Sequence, residues 1–424
     1  MNSEERHEAR YRRRKAERER KRREKLERYD SLKRVSSPSA LLRAHWEARR
    51  GVMWKASPAR YDRQALRNSA IASRKLLGGE NVCDGFYAFD IVERGKQRHI
   101  HSLHYTERVI RRSLCTNALV PIFSNGLIYD NGASLKGKGI HFAQRRCETH
   151  LHRYYREHGS DGWVLVIDFS KYFDRIRHDI LFRQLDGMLQ DEGLKALCRA
   201  CISAGDFDKP PEGKGRGLYI GPEDSQIYAV AYPNAIDHTI KDRWRIRYYA
   251  RYMDDSYIIH HDKAELQRIR DELFRMYEEA GIVPNRKKTQ IVKLSKGFTF
   301  LKTRYILTES GKLIRKPERS GTTRQRRKLK SLRRFLDEGL ITEAKAEQSY
   351  MSWRGHIRKK DARKTINRMD GLYYDLFGTR PWRKEGTDHG ENQRDQRGNQ
   401  RPEAAAGEDR AKRKRIHGGA VQCV

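Results

Sequence analysis

The sequence lacks any long apolar run. Nothing in it approaches the roughly 18 consecutive apolar residues that a membrane-crossing helix requires, so neither a transmembrane span nor a membrane partner is expected. Met1-Asn2-Ser3-Glu4-Glu5 runs straight into charged residues with no apolar stretch behind it, which reads as the absence of a secretory leader. Cysteine is scarce, at six residues scattered over positions 83, 115, 147, 198, 201 and 423. Free thiols in a reducing compartment are therefore expected, and with them a cytoplasmic location. Cys198 and Cys201 form a C-x-x-C, but no second pair follows at zinc spacing. Beside Leu197 and Ile202 they read as two core thiols on one helical face.

Negative charge is the other shortage. Asp and Glu number 56 against 91 Lys and Arg, a net charge of +35, and the isoelectric point is about 10.1. A small-molecule enzyme without a polyanionic partner fits this poorly; a protein that neutralises nucleic-acid phosphates fits it well. Apolar residues make up 37% and mean hydropathy is −0.94, low for a wholly packed chain. Residues 1–34 are Arg, Lys and Glu with almost nothing apolar, either a solvated, partly helical arm or an RNA-binding one. Residues 383–424 lack periodicity and read as a disordered basic tail.

Between these ends helix and strand patterns mix without a repeat. Residues 40–80 read as helical, with Leu41, Leu42, Trp46, Met53 and Trp54 as anchors. Strands are expected at 86–92 and 97–101, paired as a hairpin, then helix at 104–120 and a Gly-rich basic loop at 125–139. Further helices are expected at 140–157, 178–189, 192–204, 263–280 and 323–377. Strands are expected at 163–169, 247–252, 256–260, 288–293 and 298–307.

The acids carry the chemistry. Asp168 follows the apolar run Trp163 to Ile167, and a carboxylate ending a buried strand is costly without a partner. Tyr252-Met253-Asp254-Asp255 sits between two apolar segments. Paired acids at a tight turn have an ordinary explanation in turn chemistry, but these flanks leave little room for a solvated turn. Neighbouring strands would gather the carboxylates of 168 and 254–255, which repel one another unless hard divalent cations neutralise them. Two-metal phosphoryl transfer needs such an arrangement, and Mg²⁺ suits it because it accepts few protein carboxylates and keeps sites for phosphate and water.

At this point the sequence resembles prokaryotic retroelement and prophage reverse transcriptases, RNA-directed DNA polymerases. Residues 168–178 resemble their first catalytic motif, and Tyr252-Met253-Asp254-Asp255 matches their second acidic motif. Gly217 to Gln226 resembles the intervening motif in the form found in diversity-generating retroelements. Asn285-Arg286-Lys287-Lys288-Thr289 resembles the motif that supplies a cation near the leaving phosphates. Gly297 to Leu301 resembles the primer-grip hairpin, and Lys96-Gln97-Arg98 stands where the family carries triphosphate-binding cations. The likeness covers roughly 85–305 in order, and more weakly a helical region to about 377.

The resemblance implies an α+β right-hand polymerase. Its parts would be a basic arm (1–35), fingers (36–160), a palm with an antiparallel sheet (161–310, finger elements interleaved around 178–215), a helical thumb (311–380) and a disordered tail (381–424). It implies two Mg²⁺ ions, with Mn²⁺ as a substitute, on Asp168, Asp254, Asp255 and the Phe169 carbonyl. Lys288 would act at pyrophosphate, with Lys287 as the rival and a solvated lysine as the plain alternative for either, and Phe173 would be a steric gate against a 2′-hydroxyl, with a core phenylalanine as the plain alternative. Lys96 and Arg98 would bind the triphosphate, and Gly221 and Gln226 would lie at the nascent base pair. Ser225, Phe298, Leu301, Arg326, Arg327 and Lys330 would contact template, primer or duplex; for Gly221, Ser225 and Gln226 a capped loop-to-helix turn is the alternative. Implied partners are template RNA, a primer or cDNA end and dNTPs, with a structured noncoding RNA or a small basic accessory protein in some subclasses, of diversity-generating or antiphage-defence type. Competing expectations are an RNA-dependent RNA polymerase, disfavoured by Phe173 where such enzymes carry an acid, and a non-catalytic RNA-binding, maturase-like protein on the same scaffold.

Overall fold

The computed structural model describes residues 3–93, 96–206 and 211–380. The expected disorder of 381–424 lies outside these residues, as do the side chains of Lys96 and Arg98. Helix and antiparallel sheet are mixed throughout. The helices are α1 (Ser3–Tyr29), α2 (Leu32–Ser36), α3 (Pro38–Ala48), α4 (Ala56–Arg63), α5 (Ala65–Leu77), α6 (Tyr105–Leu114), α7 (Val120–Phe123), α8 (Ile140–His158), α9 (Tyr172–Arg175), α10 (His178–Met188), α11 (Glu192–Ser203), α12 (Glu223–Ala231), α13 (Asn234–His238), α14 (Lys263–Glu279), α15 (Arg319–Asp337), α16 (Glu343–Ile357) and α17 (Arg363–Phe377). Nine strands are described: β1 (Phe86–Glu93), β2 (Lys96–Leu103), β3 (Trp163–Asp168), β4 (Tyr249–Tyr252), β5 (Asp255–His260), β6 (Gln290–Lys293), β7 (Phe298–Phe300), β8 (Thr303–Leu307) and β9 (Leu313–Pro317). Among the described residues no helix is long and apolar enough to cross a membrane.

The central sheet has the order β4-β5-β3-β6, all antiparallel. Its apolar runs are continuous because both faces are covered. Leu165, Ile167, Tyr249 and Ile258 enter one core with the helices. Their neighbours Val164, Ala250, Tyr257 and Ile259 enter a second core on the opposite face, as side chains alternate along a strand. Each such Val, Leu or Ile burial is worth about 1.5–3 kcal/mol. α14 covers the first face with Leu266, Ile269, Leu273 and Tyr277, at helical spacing. Its cap, Asp262, accepts the Ala264 amide at 2.7 Å. The second face is closed by β7-β8-β9. Phe300 pairs with Thr303, and the two residues between them, Leu301 (φ 47) and Lys302 (φ 60), are both left-handed, as a two-residue hairpin turn requires.

Several expectations change. The helical stretch at 40–80 is three helices, and Trp46, Met53 and Trp54 are exposed, not anchors. The inner face of α3 is Ala40, Leu41, Ala44 and His45, and Trp46 turns away from it. α12 begins where a loop-to-helix turn is one of the two readings of the sequence, and α13 arises where no element is expected. β9 is hidden in the sequence by its charges: Arg315 and Lys316 suit an edge strand that ends in Pro317. The region 323–377 contains three helices. α1 is helical with Glu–Arg and Glu–Lys pairs such as Arg20–Glu24 at 2.6 Å, but its end is docked: Leu26 is buried and Arg22 donates to the Gly187 carbonyl at 2.8 Å.

Candidate catalytic site

Strand register brings the acids together. Asp168, last in β3, lies directly opposite Asp255, first in β5, and residues so paired have Cβ atoms about 4.5–5.5 Å apart. Tyr252 also pairs with Asp255, so Met253 and Asp254 form a two-residue turn. Met253 holds φ 54 while nearly buried, a conformation that an unbranched side chain tolerates at a cost of about 1–3 kcal/mol.

A third segment closes the site. Ser170 donates its amide to the Val283 carbonyl at 2.7 Å, Phe169 bridges to Pro284, and the Asn285 amide donates to the Asp168 carbonyl at 2.7 Å. Side chains repeat the match. Asn285 Nδ2 donates to Asp168 Oδ2 at 3.2 Å, and Lys288 Nζ reaches Oδ1 and Oδ2 at 2.9 and 2.8 Å. Hydrogen bonding to Asp168 raises the Lys288 ammonium above the ordinary lysine range.

The carboxylates remain under-compensated. Asp255 is pushed up to about 7, first by burial, then by the charges of Asp254 and Asp168, against the opposing pull of Lys288. No three His, Cys, Asp or Glu side chains among the described residues form a preformed metal cage. The donor set nevertheless fits Mg²⁺, which takes a few hard carboxylate oxygens and completes its shell with phosphate and water. Lys288 already supplies the positive charge that Asp168 attracts.

The remaining candidates fall into groups. Phe169 buries its ring against Tyr172 and Tyr277, with centroids 5.3 and 4.9 Å away. Phe173 is half-buried on α9, its carbonyl accepting the Leu218 amide at 2.8 Å. Gly221 has φ 144, and a Cβ there would stand 2.6 Å from the His101 carbonyl of β2. What it approaches in this structure is thus the β1–β2 hairpin, where His101 stacks on Tyr219 at 3.6 Å. Ser225 is not a cap: Pro222 stands at the N-cap position of α12 without a side-chain capping hydrogen bond, and Ser225 is buried within the helix beside half-buried Gln226. Phe298 buries its ring in the second core, while Leu301 is half-buried at the β7–β8 turn. Arg326, Arg327 and Lys330 are exposed on α15. Arg326 borders a cleft of about 970 Å³ that Lys316, Arg319, Arg363 and Arg368 also line. Cys198 and Cys201 are buried free thiols, as expected.

Sequence alone does not single out two buried ion pairs. Arg111 of α6 holds Glu107 at 2.7 Å and Asp224 at 2.8 Å, fixing the start of α12. Arg251 of β4 holds Asp237 of α13 at 2.5 Å. The one available signal for the second is an arginine directly ahead of the acidic tetrapeptide.

Residues 94–305, half of the chain, match the family described as reverse transcriptase (RNA-dependent DNA polymerase). The chain is 26% identical over 264 residues to Protein YkfC of Escherichia coli (strain K12), covering 54% of this chain and 66% of that protein. It is 26% identical over 119 residues to the putative COX1/OXI3 intron 1 protein of Saccharomyces cerevisiae, covering 27% of this chain and 14% of that one. The matched region thus spans less than two thirds of either relative. Among solved structures it is similar to apo telomerase from Candida tropicalis lacking its C-terminal domain (TM-score 0.42, 14% identity, 55% of each chain). It is also similar to Candida albicans telomerase in complex with a TWJ fragment of telomeric RNA (TM-score 0.42, 14% identity, 69% of this chain and 57% of that one).

Proposed function

The chain belongs to the reverse transcriptase (RNA-dependent DNA polymerase) family, and from that premise we propose that it copies an RNA template into DNA where β3, the β4–β5 turn and the 283–288 loop meet. The register of Asp168 with Asp255, beside the turn that carries Asp254, is the observation that carries this reading. Asp168, Asp254, Asp255 and the Phe169 carbonyl would hold two Mg²⁺ ions, replaceable by Mn²⁺. Bound there, the ions would lower the pKa of a primer 3′-hydroxyl and stabilise charge on the triphosphate. Lys288, released from Asp168, has an ammonium and a proton to offer the leaving pyrophosphate. Asn285 keeps Asp168 oriented through the Asp168 carbonyl and carboxylate alike.

We read the central sheet as the palm of a right-hand polymerase within 161–310. Residues 36–160 are the fingers, with further finger elements around 178–215. The helical thumb is 311–380, the basic arm 1–35, and the tail 381–424. Phe173 is the gate against ribose. Lys96 and Arg98 take the triphosphate, Gly221, Ser225 and Gln226 line the template side, Phe298 and Leu301 shape the primer side, and Arg326, Arg327 and Lys330 hold duplex phosphates. The partners are template RNA, a primer or cDNA end and dNTPs. The biological setting is a bacterial or prophage retroelement of diversity-generating or antiphage-defence type, with a structured noncoding RNA or a small basic accessory protein alongside.

Primer extension by the purified chain tests this. Expected is dNTP incorporation on a primed RNA template that needs Mg²⁺ and is abolished by Asp168→Ala or Asp254→Ala, with RNA affinity largely intact. Preference for NTPs would turn the assignment to an RNA-dependent RNA polymerase. RNA binding without any synthesis would leave only a binding protein.

A further inference from the structure

The acidic turn is bolted from behind. Arg251 is fully buried, and its guanidinium spends its donors on three partners. Nε and Nη2 grip Asp237 at 2.9 and 2.5 Å, Nη2 also reaches the Val230 carbonyl at 2.8 Å, and Nη1 donates to the Met253 carbonyl at 3.1 Å. Asp237 is equally buried and accepts the Tyr249 hydroxyl at 2.5 Å. The Arg251 backbone is fastened as well: its amide donates to the Asp130 carbonyl at 3.2 Å and its carbonyl accepts the Gly132 amide at 3.0 Å.

The Met253 contact gives this network a consequence beyond packing. Met253 sits at φ 54, which costs energy and persists only where the surroundings over-determine it. The peptide group whose oxygen Arg251 holds is the one that leads into Asp254. Fixing that oxygen fixes the plane from which the Asp254 side chain departs, against repulsion from Asp168 and Asp255 that would otherwise spread the turn. A buried ion pair by itself is weak evidence of stabilisation, because desolvation offsets attraction; a bolt for a strained, charged turn gives it a purpose.

We infer that the Arg251–Asp237 pair is a positioning device that sets the place of Asp254 and hence the affinity of the acidic site for divalent cations. This rests on the proposed polymerase reading of that site but is tested apart from it. Arg251→Met with Asp237→Asn removes both charges together, so no ion is left buried alone, and the carboxamide that replaces the Asp237 carboxylate still accepts from Tyr249. Mn²⁺ binding is followed by electron paramagnetic resonance, alongside melting, template–primer affinity and primer extension. The double variant is expected to melt moderately below the unmodified chain, because the Val230 and Met253 carbonyls lose their donor, and to bind template–primer equally well while folded, yet to bind Mn²⁺ about 10- to 100-fold more weakly, as losses of groups behind metal ligands do. The Mg²⁺ needed for half-maximal synthesis should rise in parallel. Arg251→Lys, which keeps the charge without the fork, should show a smaller shift of the same sign, and it carries the test if the double variant fails to fold. Unchanged Mn²⁺ affinity in a folded variant, or no Mn²⁺ binding by the unmodified chain, overturns the inference. Mn²⁺ binding that the variants lose, in a chain that makes no DNA, sustains it and sinks the polymerase reading instead.

Discussion

Asp255 is the residue at which charge, burial and register meet. Its carboxyl titrates near 7 instead of its ordinary 3.8, so the folded chain holds a proton that the unfolded chain releases. Stability is therefore highest below the unfolded value and falls as pH rises through about 7. With metal chelated, Asp255→Asn should melt above the unmodified chain at pH 8, by the equivalent of on the order of 1 kcal/mol after solvent screening. The two should converge toward pH 5, and comparing the pair cancels the histidines that titrate in the same range. Added Mg²⁺ should raise the unmodified chain at pH 8 and do little for the Asp255→Asn variant, which a thermal-shift series reads directly. Phe173 gives the second expectation at this scale. Its side chain is half-buried against the helical core, and if it is the proposed gate, Phe173→Ala should raise ribonucleotide incorporation while dNTP extension continues. An unchanged ratio in a mixed-nucleotide assay would assign the ring to the core.

The elements show what a sequence displays and what it conceals. β3 and β5 are legible because apolar runs with acids at their ends have few other uses, and the meeting of Asp168 with Asp255 follows from pairing them antiparallel. Asn285 and Lys288 stand out as a motif, yet their bonds to Asp168 span more than a hundred positions of chain, and no local pattern encodes such a distance. Arg251 and Asp237 are concealed for a related reason: each is a common charged residue whose meaning lies in a partner on another element. α12 is legible only as the alternative reading of a loop motif, and without its anchor, because its start is held by Arg111 and Arg112 of α6, not by a cap of its own. The β1–β2 hairpin depends on similar distant contacts. An isolated two-stranded hairpin is marginal in water, and this one leans on the 219–221 segment through the His101–Tyr219 stack and the Gly221 approach. Gly221→Ala places a methyl group against the His101 carbonyl at a φ that L residues avoid, at a cost of about 1–3 kcal/mol. Amides across 86–103 should then exchange faster, and the KM for dNTP should rise more than kcat falls. Equal protection in the two chains would mean that the hairpin is held elsewhere.

At the scale of the whole molecule the charge of +35 would, on the proposed reading, set how the chain meets a nucleic-acid template. Long-range attraction to a polyanion is sequence-blind and works by releasing counterions, so affinity falls linearly with salt on logarithmic axes, by about 0.9 per phosphate contact on a duplex. α15 supplies a compact part of that charge. Leu329 and Leu332 bury one side of it while Arg326, Arg327 and Lys330 face solvent, and the cleft that Arg326 borders is lined by further cations. Replacing the three by Gln should weaken template–primer binding uniformly across sequences and flatten the salt slope by about 2–3. The leucines keep the helix packed, so melting should hardly move. Asp254→Ala should do the opposite, leaving slope and affinity in place while synthesis stops. Fluorescence anisotropy between about 50 and 200 mM salt separates the two. A triple variant with the original slope would place the duplex against other cations of the chain and leave α15 a solvated helix face.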